Sequence, residues 1–207
     1  MANRISRVKA GRQAKPEHQI KPNLLEKKLK AVKAPFRRAF ITQKWAANKP
    51  EHRKLIRKKL FALTKDPQVL ELSTVSKWDS GYFSISHNPS YGALVTAKQP
   101  IGIDIEQTQR VISARVLARI ASPQEQELGL TPIEIWAAKE SAFKAYSALY
   151  KIRTISEINI RGVKKNISSK TFKFSFISSK NSELVDLGWG CVFNLRDTTM
   201  GIAWLKA

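Results

Sequence analysis

Asp104 and Glu106 stand two residues apart in Pro100-Ile101-Gly102-Ile103-Asp104-Ile105-Glu106, where isoleucine alternates with other residues. That alternation predicts a strand burying Ile101, Ile103 and Ile105, with Gly102, Asp104 and Glu106 on the opposite face. Two carboxylates on one strand face lie roughly 6.5–7 Å apart along the backbone. They can converge on one hard cation, and Gly102 leaves room beside them; the plainer alternative is a half-exposed strand with two solvated acids. A second group lies in Trp136-Ala137-Ala138-Lys139-Glu140-Ser141-Ala142-Phe143-Lys144. Glu140 and Lys144 have the spacing of neighbours on a helix face. They are either a surface ion pair contributing about 0.3–0.5 kcal/mol, or a third acid for the cation with a lysine one turn on to hold a phosphate. His87 closes a third stretch, Phe83-Ser84-Ile85-Ser86-His87.

These groups need elements to position them. Ile135, Ala138, Ala142, Tyr146 and Leu149 recur at helical spacing, predicting a long helix from Glu134 to about Tyr150. Ser122-Pro123-Gln124-Glu125 has the order of a capping box with proline in the first turn. Val111 to Ile120 is expected to be helical before it. Strands are expected at Val69–Val75, Tyr82–His87, Tyr91–Ala97 and Ile101–Glu106, then at Glu157–Val163, Thr171–Ile177, Gly190–Leu195 and Thr199–Leu205. Turns fall at Asp79-Ser80-Gly81, Asn88-Pro89-Ser90, Lys180-Asn181-Ser182 and Arg196-Asp197-Thr198. Upstream, helices are expected from Asn23 to about Lys33, from Phe36 to Trp45, and from Pro50 to Leu63 with Leu55, Ile56, Leu60, Phe61 and Leu63 as the apolar face. Strands around a central helix indicate an α+β fold with antiparallel sheet.

Composition narrows the class. At 207 residues and 43% hydrophobic content the chain can bury a sizeable core. Cys191 is the single cysteine, so no internal disulfide framework forms and a reducing cytoplasm is expected. No transmembrane helix and no signal-peptide core are expected. The net charge is +21, and residues 1–60 hold 19 of the 37 Lys and Arg against Glu17, Glu26 and Glu51. Such an excess points to acidic partners: nucleic acid, phosphorylated cofactors, acidic proteins or anionic lipid. Residues 1–21 are expected to be a basic flexible tail.

The three motifs in order resemble the 4′-phosphopantetheinyl transferase superfamily, and more closely its Sfp-type branch. That branch has an aromatic-x-x-Ser-His strand, a Gly-Ile-Asp-x-Glu strand and a Trp-x-x-Lys-Glu-Ser/Ala-x-x-Lys helix, here Phe83–His87, Ile101–Glu106 and Trp136–Lys144. Ser122–Glu125 is similar to the family's Ser/Thr-x-x-Glu segment. The resemblance implies a pseudo-twofold fold of two halves, each an antiparallel sheet packed by a long helix, with the first half reduced. Residues 22–99 would form the coenzyme A side and 100–207 the half with the magnesium-binding motifs. It implies transfer of 4′-phosphopantetheine from coenzyme A to a serine of an apo acyl or peptidyl carrier protein, with release of adenosine 3′,5′-bisphosphate.

The residue types suit that chemistry. Breaking a pyrophosphate bond needs positioning and charge neutralisation, and Mg²⁺ takes carboxylate, phosphate and water oxygens. Asp104, Glu106 and Glu140 can supply the carboxylates. Lys144 can hold a phosphate, with Lys139 adding a cation from the adjoining face. Glu140, directly or through a water, is the first candidate for the base that takes the serine proton, with Asp104 or a hydroxide on the cation as alternatives. By resemblance, Ser86 and His87 contact a coenzyme phosphate. Asn48-Lys49-Pro50-Glu51-His52-Arg53 is similar to a segment whose arginine approaches coenzyme A. Ser76-Lys77-Trp78 stands where the family often has Gly-Lys-Pro, making Lys77 a further coenzyme candidate. Carrier proteins of this kind are acidic, and Arg110, Arg115 and Arg119 would lie on a helix beside their docking surface. The chain is long enough to supply both halves as a monomer. Two other readings compete: a basic nucleic-acid-binding protein and a non-catalytic relative that only binds carrier protein.

Overall fold

The alternating stretch does become a strand, β5 (Ile101–Gln107), with Ile101, Ile103 and Ile105 buried. In this computed structural model residues 23–47, 50–70, 76–166, 171–178 and 188–206 are described. Ahead of β5 come α1 (Leu24–Ala31), β1 (Arg38–Thr42), α2 (Pro50–Thr64), β2 (Lys77–Trp78), β3 (Gly81–His87) and β4 (Gly92–Ala97). After it come α3 (Ala114–Ile120), α4 (Pro123–Gln126), α5 (Pro132–Ser147), β6 (Ile158–Asn166), β7 (Thr171–Ser178), β8 (Gly188–Leu195) and β9 (Thr198–Leu205). The strands form two antiparallel sheets, ordered β1-β4-β3-β2 and β5-β9-β8-β7-β6. The fold is α+β.

Three apolar clusters stack these elements. Ile56 and Leu60 of α2 pack with Phe83 and Leu94 on the outer face of the first sheet. The inner face carries Ala39, Ile41, Ala93 and Val95, which meet α1 and the isoleucines of β5, with Cys191 and Ile202 behind. On the far face of the second sheet, Ala138, Ala142 and Tyr146 of α5 pack against Phe174, Phe176, Val192 and Ala203. The molecule is thus layered helix, sheet, sheet, helix. Two glycines admit α5 to its sheet: a Cβ at Gly102 would collide with the Ser141 carbonyl, and one at Gly201 with that of Ala137. Gly102 therefore makes room for a helix backbone.

The first half departs from expectation. Residues 36–45 were expected to be helical, but 38–42 form β1, paired in register with β4 from Arg38↔Thr96 to Thr42↔Gly92. Ala39 and Ile41 face the core on alternate positions, and sheet pairing overrides a helical reading of so short a segment. Val69 and Leu70 belong to a one-turn 3₁₀ segment instead of a strand, and residues 71–75 lie outside the described set. So do the tail 1–21, Asn48, Lys49 and the turn at 180–182. Leu55, Phe61 and Leu149 are exposed, although each was assigned to an apolar stripe. Leu149 lies beyond the end of α5. The Ser122 capping box is present, with both reciprocal hydrogen bonds made.

Candidate active site

β5 is an edge strand, so its outward backbone groups need partners. Two serines of β3 supply them. Ser84 Oγ accepts from the Ile103 amide at 3.0 Å, and Ser86 Oγ from the Ile105 amide at 3.2 Å. Side-chain hydroxyls thereby join the two sheets, and β3 is held against the strand bearing the acids. Sequence reasoning gave Ser86 a coenzyme contact and Ser84 nothing. Their two-residue spacing on a strand opposite an edge was the available signal.

Asp104 is buried at the centre of this junction. Its Oδ1 accepts from Lys144 Nζ at 2.7 Å and from Ser86 Oγ at 3.0 Å, while Oδ2 is buried with no hydrogen-bond partner among the described residues. Lys144 also donates to the Ile103 carbonyl at 3.1 Å. The lysine is therefore paired with Asp104 and not with Glu140, its neighbour on the helix, which has no hydrogen-bond partner among the described residues. Burial pushes the Glu140 carboxyl above the ordinary range; Lys144 opposes this, and the charges of Asp104 and Glu106 reinforce it. Glu106 is raised by burial too, opposed first by a hydrogen bond from Arg110. Asp104, Glu106, Glu140 and Lys144 thus share one electrostatic site between β5 and α5.

The donor set suits a hard cation. The buried, unpartnered Asp104 Oδ2 would be costly to leave empty-handed, and two further carboxylates act on the same site. Among the described residues no three His, Cys, Asp or Glu close into a ready-made coordination cluster. That is compatible with Mg²⁺, which takes one or two carboxylates and completes its shell with water and substrate phosphates.

His87 ends β3 beside the site. Burial lowers its pKa, helped by the positive charges of Arg53 and Lys144 and opposed by Asp104. A cavity of about 230 Å³, lined by Trp45, Arg53, Ile56, Arg57, Ile85 and His87, opens on this side. Arg57 is tied down, donating to the Val69 carbonyl and lying over the Phe83 ring. Arg53, Arg57 and His87 are the charged or titratable groups lining the cavity, with Arg57 the one held by these contacts.

Two expected site residues are not brought here. Lys139 is fully buried and donates to both oxygens of Glu125, at 2.7 and 2.9 Å. It faces away from the acids because it sits five residues before Lys144, off their shared helix face. Lys77 pairs with Tyr82, five positions before His87 on β3, so it lies roughly 16 Å from the site. Sequence reasoning also placed Arg110 on a docking helix. It precedes α3 and turns back to pair with Glu106, with its guanidinium 4.8 Å from the centre of the Trp136 ring.

Comparison with known proteins finds similarity over part of the chain. Residues 100–186 match the 4′-phosphopantetheinyl transferase superfamily. The matching segment carries all three acids and Lys144. Over 73 residues the chain is 42% identical to enterobactin synthase component D of Escherichia coli (strain K12), a match covering 31% of this chain. The chain spans about a third of that relative, 35% of its length.

Proposed function

We propose that the chain transfers 4′-phosphopantetheine from coenzyme A to a serine of an apo carrier protein, as an Sfp-type enzyme with its coenzyme side in residues 22–99. The observation that carries this reading is Asp104. It is a buried carboxylate with one oxygen held by Lys144 and Ser86 and the other free, inside the segment that matches the superfamily.

Asp104, Glu106 and Glu140 would hold Mg²⁺, which when bound neutralises diphosphate charge and polarises the bond to be broken. Lys144, anchored on Asp104 and the Ile103 carbonyl, holds an ammonium where the diphosphate must lie. Burial and the charges of Arg53 and Lys144 disfavour protonation of His87, and the neutral ring would donate one N–H to a coenzyme phosphate while Arg53 supplies charge beside it. Glu140 takes the carrier serine's proton: burial has raised its proton affinity, and no hydrogen bond among the described residues ties it down. Incubation with apo carrier protein, coenzyme A and Mg²⁺, followed by intact-mass measurement, tests the proposal. A carrier that gains the mass of phosphopantetheine supports it. An unmodified carrier, across acyl and peptidyl types, leaves a binding-only protein.

The basic excess of residues 1–60 supports acidic partners, and no helix among the described residues is long and apolar enough to cross a membrane. Burial pushes the Cys191 thiol up to about 12, so it stays a packing residue.

A further inference from the structure

The two acids of β5 each carry a resident cation, and the two cations are held very differently. Lys144 comes from α5, is 28% exposed, and is fixed by three oxygen acceptors: Asp104 Oδ1, the Ile103 carbonyl and Ser86 Oγ. Arg110 comes from the turn after β5 and is 42% exposed at its side chain. Its guanidinium makes one ion pair, with Glu106 Oε1, and rests on the face of Trp136. The turn itself is pinned, since the Arg110 amide donates to the Gln107 carbonyl and the Thr108 amide to that of Asp197. The backbone of Arg110 is thus held within reach of Glu106, while its charged end has a second resting place on an aromatic ring.

We infer that Arg110 is a built-in counter-ion of Glu106, a tethered cation that occupies this carboxylate until a divalent cation displaces it. The inference rests on the cation reading made above. The Glu106 side chain is only 16% exposed, so without a partner it would carry an uncompensated charge near Asp104 and Glu140. A guanidinium four residues on removes that repulsion and keeps the strand face ordered before loading. The arrangement also makes the guanidinium a competitor. A metal that takes Glu106 must break an ion pair, whereas Asp104 offers a free oxygen with its lysine still in place. On release the guanidinium keeps its contact with Trp136, a cation–π interaction that makes displacement less costly than full exposure to water.

The test measures cation binding to the full chain without coenzyme A, by the free-Mn²⁺ signal in electron paramagnetic resonance. Five proteins are compared: wild type, Arg110→Gln, Arg110→Lys, Glu106→Gln and the Arg110→Gln/Glu106→Gln double variant. Arg110→Gln should bind Mn²⁺ about two- to five-fold more tightly, the range expected for loss of an exposed ion pair. In the Glu106→Gln background the same change should do nothing, because the coupling runs through Glu106. Arg110→Lys, which keeps the charge, should bind like wild type. An independent readout is the Arg110 Nε–H resonance, which should shift on addition of Mg²⁺ to wild type and stay still in Glu106→Gln. Tightening of equal size in both backgrounds would reduce Arg110 to a long-range charge effect, and unchanged or weaker binding in Arg110→Gln would overturn the inference outright. If Glu106→Gln binds no Mn²⁺, the resonance decides alone. Absence of Mn²⁺ binding in every variant removes the cation reading itself, and this inference with it.

Discussion

The two sides of α5 each hold a lysine–carboxylate pair, and the pairs serve opposite ends. On one side Lys139 meets Glu125, and nothing in the arrangement is left over. Glu125 accepts from Lys139 and from the Ser122 and Ile160 amides, tying α4, α5 and β6 together. On the other side Lys144 meets Asp104, and something is left over: the second oxygen of Asp104 is buried and unpartnered. A closed polar network specifies structure, and an open one is poised for a ligand. Five residues of sequence separate a strut from a candidate catalytic group.

The largest effect should come from opening the closed side. Lys139→Met leaves the Glu125 charge buried without its cation, and breaking one partner of such a pair costs about 3–5 kcal/mol. Thermal and denaturant unfolding should show that loss. A paired Lys139→Met/Glu125→Leu replacement should recover part of it, although the Ser122 and Ile160 amides then lose their acceptor. If Lys139→Met folds with wild-type stability and loses only turnover, the division between the two sides of α5 is wrong.

Second in size is the open side. Asp104→Ala and Glu140→Gln should each lower turnover by about 10²–10³-fold, the scale of removing one preorganised charged group. Stability should change far less than in Lys139→Met, because Asp104→Ala also frees a burial penalty. Steady-state rates paired with unfolding curves make the comparison. Wild-type rates in both variants would leave Asp104 and Glu140 without a part in turnover and make the Asp104–Lys144 pair a second strut.

The comparison also separates what was legible in the sequence from what was not. Positions set by local rules were readable: the alternation of β5, the Ser122 cap and the helical stripe through Ala138, Ala142 and Tyr146. The acids Asp104, Glu106 and Glu140 followed from strand parity and motif order. Partner choice was not readable, because it depends on which element lies across the gap. Spacing alone paired Lys144 with Glu140, whereas β5 crossing beneath α5 gave it Asp104. Lys139 was placed beside the site because helical position does not say which face another element buries. β1 failed for a related reason: Arg38-Ala39-Phe40-Ile41-Thr42 has too few residues to display a period, and its partner β4 is some fifty residues away.

A smaller effect concerns the charge state of Glu140. Its carboxyl lies above the ordinary range through burial, and the nearby Lys144 ammonium is the main influence holding it down. Lys144→Met should therefore raise it further, since the ionised form loses its favourable neighbour. Carbon-13 carboxyl NMR on the cation-free protein reads this directly. A titration that stays in place after Lys144→Met would show that Lys144 serves Asp104 alone.

The smallest effect lies outside the site. Arg115 and Arg119 are exposed on α3 one helical turn apart, so they share a face. α3 follows the turn in which Arg110 bends back to Glu106, so under the proposed function that face would flank the entrance for a carrier serine. Attraction of an acidic carrier by two exposed charges acts through solvent, with a screening length of about 8 Å at 0.15 M salt. It speeds encounter more than it tightens the complex. Reversing both arginines to glutamate should raise the apparent Michaelis constant for carrier protein several-fold, while the constant for coenzyme A, which the proposed function puts on the His87 side, should move little. Raising salt should erode the wild-type advantage and leave the double reversal nearly unaffected. Equal salt sensitivity for both substrates, unchanged by the reversal, would mean that carrier docking is governed elsewhere on the surface and that α3 serves only to hold the turn carrying Arg110.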